Sequence, residues 1–364
     1  MSQNFHFDPT LLQSLVGGSS ALDLPSLNFQ TFKEADAFLI AYGFSADQAL
    51  DLERLWYFHR RALVLMQDKL GFSLEEIPEK LRDPKLLGDP RQLLLLASSK
   101  KDAQMQKWAC ALLRCIHVFV HAENDLFSSF AEEIQKQILS PFQNCIYHDG
   151  TTGTTFLKSL ESSDQAPIEL KGFETKPFKT STSTVIKLLA KPNALAMNVF
   201  DKLGVRLITH SVFDTFRVLR FLIEENLISY PHIMPDQSTN NVYPVELFIR
   251  ACAELAPIAT GKSETEIDQF FIDYLANHRE EGEFVRKQND FSGNDYQFIK
   301  FISRKLIRVP VPGQKTEFSF FYPFEIQIVD RDSHQKILSG PSQHQAYKDR
   351  QKQAARKRIF PESP

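Results

Sequence analysis

The feature that most constrains the fold is a change of hydrophobic periodicity across residues 144–155, a stretch rich in Gly and Thr. Before this break, apolar residues recur at the three- and four-residue spacing of amphipathic helices. After it, runs rich in β-branched and aromatic residues, at 203–208 and 318–329, alternate with helical stretches such as 212–227. This order predicts a helical domain followed by an α/β or α+β domain, and we assign the chain to the α+β class.

The length of 364 residues agrees with two domains. We place a helical domain, a candidate regulatory domain, at residues 1–145 and a linker at 146–170. A mixed-sheet domain is expected at 171–364, with a helical insertion at about 231–290 because two stretches there keep helical periodicity.

Local signals place individual helices in the first domain. Thr31 and Glu34 have the spacing of a capping box, and Gly43 is expected to end the helix that follows. Ser45 is expected to cap the next helix, and residues 101–139 form the longest amphipathic pattern. The first domain is therefore predicted to be all helical.

Net charge and cysteine content limit the ligands and the compartment. The formal net charge is -3, so no overall basic field draws the protein to nucleic acid or to an anionic membrane. The four cysteines form no CxxC pair, and Cys110 and Cys115 are expected to be small core residues. Neither a signal-peptide pattern nor a membrane-spanning apolar run is present in the sequence, which predicts a cytoplasmic protein without a membrane partner.

Residues 173–188 combine lysines with hydroxyl side chains. Lys176, Lys179 and Lys187 surround residues 180–184, which are all Ser or Thr. A strand that leads into a helix would present free N–H groups and the positive end of the helix dipole to a phosphate. An ordinary Ser/Thr-rich helix cap with surface lysines is the alternative, and this segment alone does not separate the two.

Two acidic residues lie at positions where a bound metal ion would account for a carboxylate. Asp201 precedes a predicted strand that carries Gly204 and Arg206, and Glu325 lies inside the apolar strand at 324–329. A carboxylate buried in such a strand needs a cation or a metal partner, although an exposed strand face would also accommodate it. Magnesium takes one or two carboxylates together with substrate phosphates, so this pair could serve as its protein ligands.

These residues resemble the motifs of RelA/SpoT-type synthetases over about residues 172–350. Two family patterns, Lys–Ser–Lys–Leu and then Asp-x-x-Gly-x-Arg, have their counterparts in Lys179, Ser183, Lys187 and Leu188, and in Asp201, Gly204 and Arg206. A third pattern, Glu-x-Gln-Ile followed by two histidines and Tyr-Lys, corresponds to Glu325, Gln327, Ile328, His334, Gly340, His344, Tyr347 and Lys348. Three matches in the family's order are more specific than any one of them.

A fourth family segment, Asn-Gly-Tyr-Gln-Ser-x-His, carries the Tyr that stacks on the acceptor guanine. Asn294, Tyr296 and Gln297 match it, whereas Lys300 stands where the family has His, and the family's Gly and Ser are also replaced. A base stacked on an aromatic ring contributes about 1–3 kcal/mol. The acceptor side departs from the family, and the longer spacings predict an insertion and an extended hairpin.

The resemblance implies a nucleotidyltransferase-like mixed sheet flanked by helices, and a Mg²⁺-dependent pyrophosphokinase. Such a transferase moves pyrophosphate from ATP to the 3′ hydroxyl of a nucleotide, as in alarmone (guanosine tetraphosphate) metabolism, or of an RNA such as tRNA. It implies Asp201 and Glu325 as metal ligands and catalytic residues, and Lys300 is a further catalytic candidate. The expected nucleotide-binding residues are Lys179, Ser183, Lys187, Arg206, Asn294, Tyr296, Gln297, His334, His344 and Lys348. The alternative is a catalytically degenerate domain that binds a nucleotide as a sensor or scaffold.

Three further features have competing interpretations. His117, His121 and Asp125 share one helix face and could ligate a metal, but a polar core contact is favoured because further ligands are not evident. His59 is expected at the surface, where it could approach the active site from the neighbouring domain. The basic tail at 348–358 is interpreted as a solvated helix face, with an RNA or phosphate contact as the alternative.

Overall fold

The computed structural model describes residues 12–14, 16, 20–124, 129–160, 166–176, 178, 181–191, 199–285, 297–310, 316–339 and 344–361. In chain order its helices are α1 (Phe32–Tyr42), α2 (Ala49–Val64), α3 (Glu79–Arg82), α4 (Pro84–Leu87), α5 (Gln92–Ser98), α6 (Ala103–Glu123), α7 (Ala131–Asn144), α8 (Ser181–Ala190), α9 (Val212–Glu224), α10 (Val245–Leu255), α11 (Glu264–His278), α12 (Arg331–Ser339) and α13 (His344–Ile359). A π-helical turn, Leu65–Lys69, continues α2, and single 3₁₀ turns occur at Ala21–Asp23, Tyr230–His232, Ala256–Ile258 and Arg279–Glu281.

The strands are β1 (Ile146–His148), β2 (Thr155–Leu157), β3 (Ile168–Lys176), β4 (Gly204–Thr209), β5 (Ile233–Asn240), β6 (Ile299–Pro310) and β7 (Glu317–Asp330). All seven form one mixed sheet in the order β1-β2-β3-β4-β7-β6-β5. β4 and β7 are parallel, and the other neighbours are antiparallel. The expected α+β class is therefore confirmed.

The chain divides into two compact units whose boundaries differ from those expected. The first comprises residues 1–125, 180–199 and 348–364, and the second comprises 126–179 and 200–347. The first unit thus takes in α8 and most of α13, while α7 belongs with the sheet. Sequence periodicity identifies a helix but not the unit against which it packs, so this division could not be read from the pattern.

Of the three helix ends expected in the first unit, two follow the expected local chemistry and one does not. Thr31 and Glu34 form the expected capping box, and Gly43 ends α1 in the left-handed conformation with φ of 105°. The expectation for Ser45 was wrong, because the residue that precedes α2 as its cap is Gln48, and the Ser45 N–H instead donates to Asp51 at 2.9 Å.

The core of the first unit corrects the expectation for His59. This residue is 1% exposed, and its Nε2 lies 2.9 Å from the carbonyl oxygen of Leu81. It falls on the buried stripe of α2 with Leu55 and Ala62, at helical spacing from both, which the neighbouring arginines obscured in the sequence. Cys110 and Cys115 are buried free thiols, as expected, on α6.

The basic tail is not a uniformly solvated face, because two of its arginines make specific contacts within the first unit. Arg356 lies over the ring of Phe72, 3.9 Å from its centroid, and donates to the carbonyl of Leu70 at 2.9 Å. Arg358 pairs with Asp23 through two nitrogens, at 2.6 and 3.0 Å. Its Nη1 also donates at 3.2 Å to three carbonyl oxygens at the end of α8, those of Leu188, Leu189 and Lys191. These contacts join the terminal segment to the rest of its unit.

In the second unit, the segment expected as a linker contains β1, β2 and the start of β3, so it is part of the sheet. Strands of three residues are too short to show alternation, which is why the sequence indicated only a break. The expected insertion at 231–290 contains α10 and α11 as expected, but it opens with β5. The expected extended hairpin is present as β6 and β7, which pair along their whole length.

One face of the sheet packs on the core of the second unit. Alternate residues of β7, among them Ile326 and Ile328, are fully buried in a cluster that includes Val218 of α9 and Leu247 of α10. Side chains of a strand alternate between faces, so the residues between them point to the other face. That second face carries Glu325 and Gln327, and it is where polar residues collect.

Among the described residues, no helix is both long enough and apolar enough to cross a membrane.

Candidate functional site

A row of polar side chains crosses four adjacent strands on the second face of the sheet. Strand register places Glu174 of β3 opposite Arg206 of β4, Arg206 beside Gln327 of β7, and Gln327 opposite Lys300 of β6. Residues that are directly opposite in neighbouring strands share a face, so these four side chains form one continuous line.

A second row lies two residues further along the same strands. It contains Lys176, Gly204, Glu325 and Ile302 in the same strand order. A Cβ atom at Gly204 would overlap the backbone oxygen of Glu325. Glycine at this position therefore allows β4 to approach the part of β7 that carries the carboxylate.

Glu325 is the centre of the charged cluster. It is 6% exposed, and its Oε1 accepts from Lys176 Nζ at 2.5 Å, while its Oε2 lies 3.8 Å from Lys300 Nζ. Burial, the largest single influence, acts to raise the pKa of this carboxyl, but Lys176 and Lys300 together more than offset it. The net result is a pKa below the usual range, and hence an ionised buried carboxylate.

Gln327 connects the two rows through its side-chain oxygen. Oε1 accepts from Lys176 Nζ at 2.8 Å and from Arg206 Nε at 3.0 Å. Arg206 Nη1 in turn donates to Glu174 Oε2 at 2.8 Å. Gln327 is 5% exposed, so these bonds satisfy a buried oxygen and hold two cations side by side.

His334 lies at the outer end of the rows on α12. Its Nε2 is 3.4 Å from Glu174 Oε1, yet the angles do not make this a hydrogen bond. Within the part of the chain that the structure describes, this buried nitrogen has no hydrogen-bond partner. The histidine therefore extends the cluster with a polar atom that a ligand could satisfy.

Asp201 brings a second carboxylate to the cluster from the turn before β4. Its charge acts on Glu325 and, after the larger influence of burial, contributes to raising the pKa of that group. The backbone also joins the two segments here, because the N–H of Glu325 donates to the carbonyl of Leu203 at 2.9 Å. The structure thus brings together the two acids that the sequence proposed as metal ligands.

This pair of acids fits magnesium in the type and number of its donors. Magnesium takes hard oxygen ligands, commonly one or two carboxylates with the rest from phosphate and water. In the described ranges, no group of three or more His, Cys, Asp or Glu residues is placed to hold a metal ion. Asp201 and Glu325 could therefore hold the ion together with a substrate phosphate, provided that Lys176 leaves Glu325.

The other expected nucleotide-binding residues are distributed between the units. Ser183 and Lys187 lie on α8 and Lys348 on α13, all three in the first unit, while Gln297 is half-buried just before β6. His344 begins α13, but its side chain is outside the described part of the structure, as are Lys179, Asn294 and Tyr296.

Sequence reasoning did not assign two residues to this cluster. It grouped Lys176 with Lys179 and Lys187 in a candidate phosphate-binding segment but not with Glu325, and it did not single out Glu174. Both stand at alternate positions of β3, on the same face as Arg206 and Gly204 across the pair. Alternation in β3 could have shown that they share a face, but the pairing of β3 with β4 could not be read from either strand alone.

The histidine pair of α6 belongs to the first unit. His117 Nδ1 lies 2.7 Å from the Tyr42 hydroxyl, and its ring is 4.5 Å from that of His121. Burial first, and the neighbouring His121 second, lower the pKa of His117 to about 4. Asp125, the third member of the proposed metal site, lies outside the described residues. The described contacts are those of a packed polar pair.

Comparison with known proteins found no family whose model matches this chain and no curated protein to which it is similar. The residues of the two rows, and the motifs that contain them, are therefore the basis on which a function is inferred.

Proposed function

We propose that the second unit is a Mg²⁺-dependent nucleotide pyrophosphokinase that transfers pyrophosphate from ATP to the 3′ hydroxyl of a nucleotide or an RNA. The observation that carries this proposal is the convergence of Asp201 and Glu325 with Lys176, Arg206 and Lys300 on one sheet face. Two carboxylates beside three cations match what a metal–polyphosphate complex requires.

The charges in the two rows support a polyphosphate ligand more than a neutral one. Lys176, Lys300 and Arg206 supply three positive groups within a cluster whose acids are Glu174, Asp201 and Glu325. A bound metal would engage two of these acids and release their cationic partners toward phosphate oxygens. Phosphoryl transfer depends mostly on such positioning and charge neutralisation.

Asp201 and Glu325 would hold Mg²⁺, which would polarise the transferred phosphates and neutralise part of their charge. Arg206 is kept in place by Gln327 and Glu174, so its guanidinium is already oriented for a bidentate phosphate contact. Ordering these groups before the substrate arrives lowers the entropic cost of reaching the transition state.

The chemical step is an in-line displacement at the β-phosphorus of ATP. The acceptor oxygen forms a bond to this phosphorus, the bond between the phosphorus and the α,β-bridging oxygen breaks, and AMP leaves with that oxygen. The acceptor proton passes to solvent as the bond forms, while Lys300, a cation 3.8 Å from Glu325 Oε2, contributes to charge neutralisation. The products are AMP and a 3′-pyrophosphorylated acceptor.

The direct test is label transfer. The protein is incubated with Mg²⁺ and ATP labelled in the β- and γ-phosphates, and with GDP, GTP, ATP or tRNA in turn as the acceptor. We expect label in one acceptor, and loss of this transfer in Asp201→Asn and in Glu325→Gln. Label in none of the acceptors would overturn the proposal, and an active, folded Asp201→Asn variant would overturn the metal assignment.

One observation favours a second candidate, a nucleotide-binding sensor without transferase activity. Glu325 is held by two lysines, and a carboxylate paired in this way can keep a phosphate-binding face in shape without any metal. The same assay separates the two functions when equilibrium binding of ATP is measured beside it. Binding of ATP without transfer to any acceptor supports the sensor.

A further inference from the structure

We propose that Lys176 competes with the divalent cation for Glu325, so that the carboxylate accepts the metal only when a polyphosphate is present to receive the lysine. This inference rests on the proposed function and concerns the order in which its ligands bind. It assigns to Lys176 a role that its position in the sequence motifs did not suggest.

The contacts of Lys176 show why it stands apart from the other cations. Its Nζ lies 2.5 Å from Glu325 Oε1 and 2.8 Å from Gln327 Oε1, and its side chain is three-quarters buried. Lys300 approaches the other carboxylate oxygen at 3.8 Å, which is beyond hydrogen-bonding distance. One oxygen of Glu325 is therefore firmly engaged, and the other has a looser partner.

Displacement of Lys176 by a metal ion alone is unfavourable. Glu325 and Gln327 are almost fully buried, so a lysine that leaves them must return to water or find another acceptor. Arg206 Nε also donates to the side-chain oxygen of Gln327, so a second positive charge lies beside Lys176. Breaking a buried pair without supplying a new partner is strongly destabilising.

A polyphosphate removes this obstacle because its oxygens can accept the ammonium that Glu325 releases. The metal and the polyphosphate then assist each other, and each raises the affinity of the protein for the other by the same factor. Lys176 acts as a positioning residue in this scheme: it keeps the buried carboxylate paired, and it couples the two binding events.

The test measures binding, so it does not depend on catalysis. Mn²⁺, which is paramagnetic, replaces Mg²⁺ and is titrated into the full chain in the absence of nucleotide, with the bound fraction read by electron paramagnetic resonance. We expect Lys176→Met to bind Mn²⁺ about tenfold more tightly than the wild type, because the carboxylate loses its competitor. The metal-free affinity for α,β-methylene ATP, measured in EDTA, should fall, because the polyphosphate loses an ammonium group that would bind its oxygens.

Three variants provide the controls. Lys171→Met removes an exposed lysine from the same strand and should bind Mn²⁺ as the wild type does. Lys176→Arg keeps the charge and should keep Mn²⁺ binding weak. The double variant Lys176→Met/Glu325→Gln should bind Mn²⁺ no more tightly than the wild type, because it lacks the carboxylate. Its neutral amide leaves no unpaired buried charge, so this variant can be measured if Lys176→Met folds poorly.

The outcomes distinguish this inference from the proposed function. Unchanged or weaker Mn²⁺ binding in folded Lys176→Met overturns the inference, even if the wild type binds and uses ATP. A wild type that binds no nucleotide with or without metal overturns the proposed function. In that case a tenfold gain in Mn²⁺ affinity still identifies Lys176 as a competitor for the metal, but the coupling to a polyphosphate is overturned.

Discussion

Arg358 in the first unit and Lys176 in the second are both largely buried cations, but their partners differ in kind. Arg358 is held by Asp23 and by three carbonyl oxygens at the end of a helix, where a cation is favourable to the helix dipole. Lys176 is held by a carboxylate and an amide oxygen on a sheet face that also carries Arg206 and Lys300. Three of the acceptors of Arg358 are backbone carbonyls, whereas the acceptors of Lys176 are side chains that a ligand can engage.

A basic run in a sequence does not by itself identify a ligand-binding surface. The tail at 348–358 is the most basic stretch that we singled out, yet Arg356 and Arg358 contact their own unit. The cations of the second unit are scattered along the chain at positions 176, 206 and 300, and strand register collects them. What distinguishes a site is the presence of charged side chains of both signs that face one another.

We expect the greatest loss of transfer activity when Glu325, the buried carboxylate of the second unit, is replaced. Glu325→Gln keeps the shape of the side chain but removes the negative charge that pairs with Lys176 and Lys300. We expect transfer to fall by about 100-fold or more, on the scale found when one electrostatic contact to a transition state is removed. Transfer rates at saturating ATP, with circular dichroism to check folding, measure this effect. Retention of more than half of the activity would assign the carboxylate to structure alone.

In the first unit, replacement of Arg358 should lower the stability of the protein. Arg358→Met keeps much of the apolar stem but leaves Asp23 and three carbonyls without their donor, and we expect a loss of about 2 kcal/mol in the free energy of unfolding. Urea denaturation measures this loss. ATP binding at a temperature where the variant is folded should equal that of the wild type. A variant of full stability with impaired ATP binding would reverse the roles assigned to the two regions.

His117 of α6 offers a pH-dependent form of the same contrast, because burial lowers the pKa of its ring. The pKa of His117 is about 4 in the folded protein, against an ordinary value of 6.5 when unfolded. The unfolded chain therefore takes up a proton near pH 6.5 and the folded chain does not. Stability contributed by the neutral group is present above pH 6.5, falls as the pH decreases, and levels off below about pH 4. The full difference corresponds to at most about 3 kcal/mol.

The measurement for this prediction is urea denaturation at pH 7.5 and pH 4.5. His117→Phe should be less sensitive to this pH change than the wild type, since its ring cannot take up a proton in either state. His148→Gln replaces an exposed histidine and should respond to pH as the wild type does. An equal response in all three proteins would show that other groups cause the acid sensitivity.

The fold could be read from the sequence where periodicity was long and regular. The patterns around β4, β7, α9, α10 and α11 predicted these elements within a few residues. β6 was not identified as a strand, since Lys300, Arg304 and Arg308 interrupt its apolar character, and β5 was hidden in a stretch of polar residues. In β6 the consecutive polar residues 303–305 interrupt the apolar–polar alternation that makes a strand recognisable.

The candidate site was predictable to the extent that it lies on motifs. Asp201, Arg206 and Glu325 were singled out by order and spacing, and the structure places the two acids in electrostatic contact. Lys176 was expected only in a candidate phosphate-binding segment and Glu174 was given no role, because both join the site through the register between β3 and β4. A register is a property of two strands that are distant in sequence, so neither strand contains it.

We expect the smallest change in stability for Lys352, another residue of the basic tail. Lys352 lies on α13 between the structural arginines and the start of the helix, and its Nζ is 3.1 Å from Asp349 Oδ1 in an i, i+3 pair. Such pairs on a helix surface contribute about 0.2–0.5 kcal/mol, so Lys352→Ala should change the free energy of unfolding by no more than this. Lys352 and Arg358 are six residues apart in the same helix and carry the same charge. A difference in stability between Lys352→Ala and Arg358→Met would therefore reflect the contacts of the two side chains. A loss near that of Arg358→Met would mean that the whole tail stabilises the first unit through its charge, and that the carbonyl contacts of Arg358 are not what sets it apart.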